Sequence, residues 1–284
     1  HIIHHSSEEF NLACALRQSI SQTFKYAAIF MIPAALLGIP ASVFVILGPI
    51  HLFMQFWYHT RLINKMGFLE YFLVTPSHHR VHHAINPEYL DKNYGQIFIL
   101  WDKLFGTFQE EIPHINPVYG TLRPSSTWNP IVINFKHLWQ LILDAWYAEK
   151  YTDKIKIWFM PTGWRPNDVE EKFPVNKIED PYKQIKYAPF NSNGKIAWSW
   201  IQHGIALVIM FHLLTGIEDR QMINNYVYTA FLLLHIFSFT SMLDNKSYFI
   251  LAEILKIILI FSCFIMQGYL WFGLNQFYSN IVLF

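Results

Sequence analysis

Histidines at positions 1, 4 and 5 recur in the same spacing at 79, 82 and 83, inside Thr75-Pro-Ser-His-His-Arg-Val-His-His83. Both copies read HxxHH. On a helix, positions i, i+3 and i+4 share one face, so each copy aims three imidazoles at a single point. Two such faces brought together offer more nitrogen ligands than one ion normally takes from protein, and the spacing therefore points to a two-metal centre. Whatever else the chain builds, it has to bring residues 1–5 and 79–83 to the same place.

The composition says what that building is made of. Of 284 residues, 53% are hydrophobic and 14% charged, against about 25% charged in an ordinary soluble domain. That deficit predicts a membrane protein. A net charge of +1 argues against a nucleic-acid partner. Cys14 and Cys263, far apart and in apolar surroundings, read as two buried thiols with no disulfide framework. The first residue already belongs to a histidine motif, so the chain is expected to be N-terminally truncated, with any upstream span out of view.

Taken in order, residues 1–22 read as a polar-faced helix at the membrane surface. Residues 24–58 are almost uncharged and long enough for a hairpin of two spans at ~20 residues each, with the turn expected at residues 38–42, where Gly38 and Pro40 fall. His51, Gln55 and His59 lie on one helical ridge. His59, at the end of the apolar stretch, is a candidate ligand; His51 reads as structural. Residues 60–195 hold 16 of the 21 Lys and Arg residues, which marks the cytoplasmic side of a membrane, and are expected to cap the histidine faces. Inside this cap Asp91 and Asp102 are candidates for orienting the ligand imidazoles from behind. His114 and His137 read as surface or packing residues. Three further apolar segments follow at 196–214, 226–243 and 248–272, each close to spanning length. His203, His212 and His235 fall within them without a partner at ligand spacing, and Glu253 and Lys256 are placed to pair with each other. The expected fold is all-α: an integral-membrane helical bundle whose cytoplasmic-side helical cap carries a histidine-rich di-metal site. It divides into a catalytic core at 1–110, a cap and linker at 111–195, and C-terminal transmembrane helices at 196–284.

The two HxxHH clusters with His59-Thr60 between them resemble the fatty acid hydroxylase superfamily, histidine-rich di-iron membrane enzymes that include the sterol desaturases. The wording is most similar to the branch that oxidises glyceryl ether lipids. It is carried by His4-His-Ser-Ser-Glu-Glu-Phe-Asn-Leu12, Ala15-Leu-Arg-Gln-Ser19, Gln55-Phe-Trp-Tyr-His-Thr60, residues 75–83, Asp91-Lys-Asn-Tyr94 and Ile99-Leu-Trp-Asp-Lys-Leu-Phe-Gly-Thr-Phe108. The resemblance implies that His1, His4, His5, His59, His79, His82 and His83 are catalytic metal ligands, with His78 a further candidate beside the second motif. It implies two iron ions, tetrahydrobiopterin as electron donor, and a lipid substrate and O2 as partners, with an electron-donor or pterin-recycling system behind them. The implied reaction hydroxylates the ether-bonded carbon of an alkylglycerol and releases a fatty aldehyde. The implied location is the endoplasmic reticulum of a eukaryote or the cytoplasmic membrane of a bacterium, with the active site on the cytoplasmic side. Three departures stand out. An HxxxH motif that the family carries upstream is not within this chain, Arg61 stands where an acid follows His-Thr, and Ala84-Ile85 replace a Gly-Arg pair. Two other functions share these features: a sterol or fatty acyl hydroxylase or desaturase of the same superfamily, and a non-catalytic membrane metal-binding protein.

Overall fold

Several helices begin or end where proline, glycine and small polar residues fall along this chain. A computed structural model describes residues 1–20, 31–274, 277, 279 and 280. The N-terminal stretch does not form the one polar-faced helix that its composition predicts. It forms two single turns, α1 (Ile2–His5) and α2 (Leu12–Ala15). The Ser6 hydroxyl donates to the Ile3 carbonyl at 2.6 Å, and the Asn11 side chain accepts the Ala13 N–H at 3.0 Å. Short polar side chains that bind nearby backbone in this way end helices and start new ones. Residues 21–22, the end of that expected helix, lie outside the described residues.

Of the expected apolar hairpin, residues 24–30 also lie outside the described residues. The remainder contains α3 (Ile32–Leu36) and α4 (Ala41–Trp57). Between them Gly38 takes φ 73°, a left-handed conformation that favours a residue without Cβ, and Pro40 leads into α4. The break thus falls at residues 38–42. A 3₁₀ turn (Gly67–Tyr71) precedes α5 (Pro76–His82). Pro76 occupies the first turn of α5, where a missing N–H costs nothing. α6 (Leu100–Phe105) stops at Gly106, φ 76°. There follow α7 (Pro130–Tyr147), α8 (Tyr151–Lys156) and α9 (Asn167–Lys172). The chain finishes with three long apolar helices, α10 (Asn193–Thr215), α11 (Met222–Leu243) and α12 (Phe249–Met266). Among the described residues β pairing is limited to the isolated bridges Leu73 to Phe98 and Ala84 to Tyr119.

The chain divides into two units, His1–Ser125 with Leu138–Lys186, and Ser126–His137 with Tyr187–Phe284. In the second, α10, α11 and α12 pack around Ala206, Ile209, Tyr228, Phe231 and Phe264. These helices have 23, 22 and 18 residues and are long and apolar enough to cross a membrane. The outer face of α12 exposes Ile250, Leu251 and Ile254, which suits contact with lipid. The third apolar segment, expected to run to residue 272, stops being helical at Met266. Gly268 and Gly273 turn the backbone with positive φ, and Trp271 and Phe272 fold back into the core. Glu253 and Lys256 form the expected ion pair at 2.7 Å.

The first unit has small separate cores, one around Tyr58, Val74 and Ile99, another around Val81, Ala84 and Tyr89. Side chains tie its irregular backbone to these cores. Asn93, itself at φ 52°, donates to the carbonyls of His78 at 3.1 Å and Gln109 at 2.8 Å and accepts the Gln109 N–H at 2.9 Å. Such satisfaction of loop backbone is what lets a segment poor in regular structure hold a site still.

Candidate metal centre

The first unit gathers seven imidazoles into two adjoining groups. His4, His59, His79 and His83 form one; His1, His5 and His82 form the other, with the ligand atoms of each group within 4.8 Å of one another. The helical spacing does what the sequence demanded. α1 carries His4 and His5 with His1 at its N-cap, α5 carries His79 and His82 with His83 at its C-cap, and His59 follows the C-terminus of α4.

In the first group the Nε2 atom of His59 lies 3.1 Å from that of His4, 3.2 Å from that of His83 and 3.0 Å from that of His79. His83 and His79 meet at 3.0 Å. In the second, Nε2 of His1 lies 2.9 Å from that of His5 and 3.3 Å from that of His82. The proton positions follow from the other ring nitrogen. Nδ1 of His4 faces the Arg17 carbonyl at 3.1 Å, Nδ1 of His82 the Lys92 carbonyl at 3.3 Å, and Nδ1 of His59 the Gln55 carbonyl. A carbonyl only accepts, so in these three rings Nδ1 carries the proton and a neutral ring keeps Nε2 bare. His4 and His59 therefore turn two lone pairs on each other at 3.1 Å. No hydrogen bond exists in that contact, and only a cation between the nitrogens makes it favourable. Imidazole nitrogens bound at about 2.1 Å to one ion stand about 3.0–3.4 Å apart, which is the spacing found here. The donor set thus fits a metal.

Burial keeps the rings neutral. Loss of water, reinforced by neighbouring histidines, lowers His5 to about 2 and His59 to about 4; His79 and His83 fall well below their ordinary value for the same reasons. Burial also brings His82 down to about 4, against the opposing pull of the Lys92 carbonyl. Neutral imidazole is the metal-binding form. His79 adds a further sign: its Nδ1 is buried with no hydrogen-bond partner.

The other candidates are placed elsewhere. His78 points its Nδ1 at the Leu73 carbonyl, 3.3 Å away, and belongs to neither group. Asp91 is exposed on a left-handed turn, and no imidazole is among its partners. Asp102 is buried, but accepts from the N–H groups of Tyr94 at 2.7 Å and Gly95 at 2.8 Å and from the Thr107 hydroxyl at 2.6 Å. Among the described residues the hydrogen-bond partners behind the rings of His4, His59 and His82 are the backbone carbonyls of Arg17, Gln55 and Lys92, while Asp102 acts on His82 through its charge alone. Neither group contains His51, His114, His137, His203, His212 or His235.

Several residues that matter here carried no role in the sequence reading. Arg80, between His79 and His82, grips Glu111 through Nε at 2.9 Å and Nη2 at 2.6 Å and donates to the carbonyls of Thr60 at 3.0 Å and Ile63 at 2.8 Å. It thereby ties α5 to the segment that follows His59. A charged residue in the middle of a ligand motif was the available signal. Phe10 lies flat against His59, ring centroids 5.4 Å apart, and Tyr58 packs on His79 at 4.2 Å. Arg61 pairs with Glu9 at the surface, 2.9 Å, and Lys186 reaches the same carboxylate. A cavity of about 100 Å³ opens beside the rings, lined by His1, His4, His59, His79 and His82 with Gln18, Gln55, Tyr58 and residues 94–96.

Membrane-length helices together with a two-part polyhistidine centre define a class, the histidine-rich membrane metalloproteins. Residues 1–107 match the fatty acid hydroxylase family pattern. It is 34% identical over 256 residues to the alkylglycerol monooxygenase of Homo sapiens, an alignment covering 90% of this chain and 57% of that protein. With the alkylglycerol monooxygenase of Danio rerio it shares 34% identity over 276 residues, 92% of this chain and 57% of the relative. Ornithine lipid hydroxylase OlsE of Rhizobium tropici is 33% identical over 127 residues, 45% of this chain and 35% of its own length. The chain therefore spans a little over half the length of the first two relatives. No solved structure matches it. With three membrane-length helices and these relatives, it is an integral membrane protein.

Proposed function

We propose that the protein is an O2-dependent di-iron monooxygenase of membrane lipids that oxidises the ether-bonded carbon of an alkylglycerol. The observation that carries the metal centre is the pair of bare nitrogens on His4 and His59 turned on each other at 3.1 Å. The alkylglycerol monooxygenases among its relatives support the substrate. His4, His59, His79 and His83 would hold one ion and His1, His5 and His82 the other.

Iron bound there would supply the redox chemistry with O2 that no side chain possesses. The chain's own residues do the rest. Nδ1–H groups of His4, His59 and His82 anchored on carbonyls fix the direction in which each Nε2 points, as outer partners of metal ligands do. Phe10 and Tyr58, both almost fully buried, shield the four-histidine group from water. Gln18 and Gln55 line the cavity and can hold the hydroxyls of a glycerol head beside the rings.

One atom of O2 enters the carbon next to the ether oxygen; the other leaves as water, which takes two electrons and two protons from the donor. The resulting hemiacetal breaks its carbon–oxygen bond, giving a fatty aldehyde and glycerol. Tetrahydrobiopterin is the proposed donor, regenerated by a pterin-recycling system. Residues 1–110 form the catalytic core and 111–195 its cap on the cytoplasmic side, in the endoplasmic reticulum of a eukaryote or the cytoplasmic membrane of a bacterium.

The test is product analysis on the full-length protein in membranes, supplied with iron and reduced pterin and offered an alkylglycerol, a sterol and a free fatty acid. Fatty aldehyde from the alkylglycerol alone is expected. A hydroxylated or desaturated sterol or acyl product would move the substrate within the family. Two bound irons with no turnover of any of the three would leave a metal-binding protein without oxygenase activity.

A further inference from the structure

The cavity beside the histidines, about 100 Å³, is far below the range of about 300–1,000 Å³ that ligand pockets occupy. It can take a polar head but no lipid tail. An apolar trough of about 520 Å³ adjoins it, lined by Ile97, Phe98, Trp101 and Phe105 together with Tyr94, Gly95 and Gln96. Those last three residues also line the histidine cavity, so one short segment is the common wall of both spaces.

The sequence fits that wall closely to its surroundings. A Cβ on Gly95 would lie 2.7 Å from the Phe98 carbonyl oxygen and 2.8 Å from Oδ2 of Asp102, so only glycine fits. The Asp102 carboxylate, 2% exposed, is occupied by the Tyr94 and Gly95 N–H groups and the Thr107 hydroxyl. The one charged group of the trough is thus already satisfied, and the space offers nothing to a phosphate, a cation or a charged peptide. Its outer rim is aromatic and open, with Trp101 57% and Phe105 74% exposed. An apolar pocket in the second unit, lined by Trp128, Trp200 and Phe239, shares no residue with the histidine cavity and lacks this continuity.

We propose that the trough between residues 94–98 and α6 seats the hydrocarbon chain of a neutral, single-tailed membrane lipid, whose polar end turns past residues 94–96 toward the histidines. This rests on the lipid-oxygenase reading above.

The experiment uses the full-length protein in phosphatidylcholine vesicles and a hexadecyl glyceryl ether carrying a diazirine at the far end of its chain. After photolysis, peptide mapping is expected to find the label on Phe98, Trp101 or Phe105, and unlabelled hexadecylglycerol should compete it away. In the Trp101→Ala/Phe105→Ala double variant, each methylene that loses its contact weakens binding about fourfold, from ~0.8 kcal/mol per buried methylene. KM for the hexadecyl ether should accordingly rise about tenfold or more, far beyond any change for a butyl ether. Labelling confined to α10, α11 or α12, labelling that is not competed, or an equal KM change for both chain lengths would overturn the proposal. So would a trough that stays unlabelled because another protein segment fills it. Competed labelling without turnover would keep the trough and remove the oxygenase reading; turnover with the label elsewhere would do the reverse.

Discussion

His79 in the first unit and His235 in the three-helix unit are both buried, 7% and 3% exposed, and the protein treats them in opposite ways. Nε2 of His235 meets the Gln202 carbonyl at 2.9 Å, so that ring nitrogen has a natural partner. His79 leaves Nδ1 without a partner and presses Nε2 against two other imidazole nitrogens at 3.0 Å. The contrast extends around each. In the helical unit Glu253 takes Lys256 and the Ser238 hydroxyl, and Asn129 donates to the Ser241 hydroxyl at 2.8 Å. Buried polar groups are normally satisfied in this way. A cluster that turns the bare nitrogens of neutral bases on one another is costly for the protein alone and fits a bound cation. Internal satisfaction marks scaffold; converging unsatisfied donors mark function.

Acid separates the two regions most. In the ion-free protein the ordinary histidine value of 6.5 applies to the unfolded chain, while the folded centre holds His59 and His82 at about 4 and His5 at about 2. Above pH 6.5 neither state binds these protons and there is no penalty. As pH falls below 6.5 the unfolded chain takes up protons that the folded centre refuses. Stability therefore drops until the folded rings titrate in turn, near pH 4 for His59 and His82. Each ring removes about 1.4 kcal/mol per unit of pH inside that window. Thermal unfolding of the ion-free protein should move down steeply between pH 6.5 and 4, and bound iron, which holds the same lone pairs against protons, should shift that loss to lower pH. A flat profile would put the centre on the same footing as the scaffold.

A smaller effect sharpens the comparison from within the first unit. Arg80→Met removes one half of an ion pair whose side chains are 7% and 20% exposed and strips two carbonyls of a donor. Breaking a buried pair from one side costs about 3–5 kcal/mol, and the lower end applies because Glu111 keeps some water. Since Arg80 holds α5 to the backbone after His59, iron affinity measured against a chelator should also fall, by about 10–100-fold, as for other residues that support metal ligands. Arg80→Lys keeps the charge without the planar fork and should recover part of both losses. Unchanged iron affinity in a destabilised Arg80→Met protein would reduce this arginine to packing.

Much of this is legible in the sequence, and for a physical reason. HxxHH spacing and apolar helices are local periodicities, so α5, the shared faces of the clustered histidines and the three long helices follow from residues a few positions apart. Contacts that close over long sequence distances were not legible. The rings of His4, His59 and His82 lean on backbone carbonyls, which every residue carries and no sequence pattern singles out. Asp102 looked like a ring acceptor, yet the fold offered it the N–H groups of Tyr94 and Gly95 first. Helix length failed where small polar residues intervened, at Ser6 and Asn11, and where Gly268 turned Trp271 back into the core.

The mildest change tests the scaffold side of the contrast. His235→Phe removes a side chain that bridges α11 to the Gln202 carbonyl of α10, and that carbonyl, inside a helix, retains its backbone partner. Hydrogen bonds between membrane helices average about 0.6 kcal/mol and reach about 1.7 kcal/mol, so the loss in stability should stay within that range. Iron content should not change at all, in contrast to His79→Ala, which takes a nitrogen from the four-histidine group. Denaturation in detergent with parallel iron analysis reads both quantities from one preparation. Iron lost from the His235→Phe protein while it remains folded would make a scaffold histidine part of the centre, and the division drawn between satisfied and converging side chains would no longer hold.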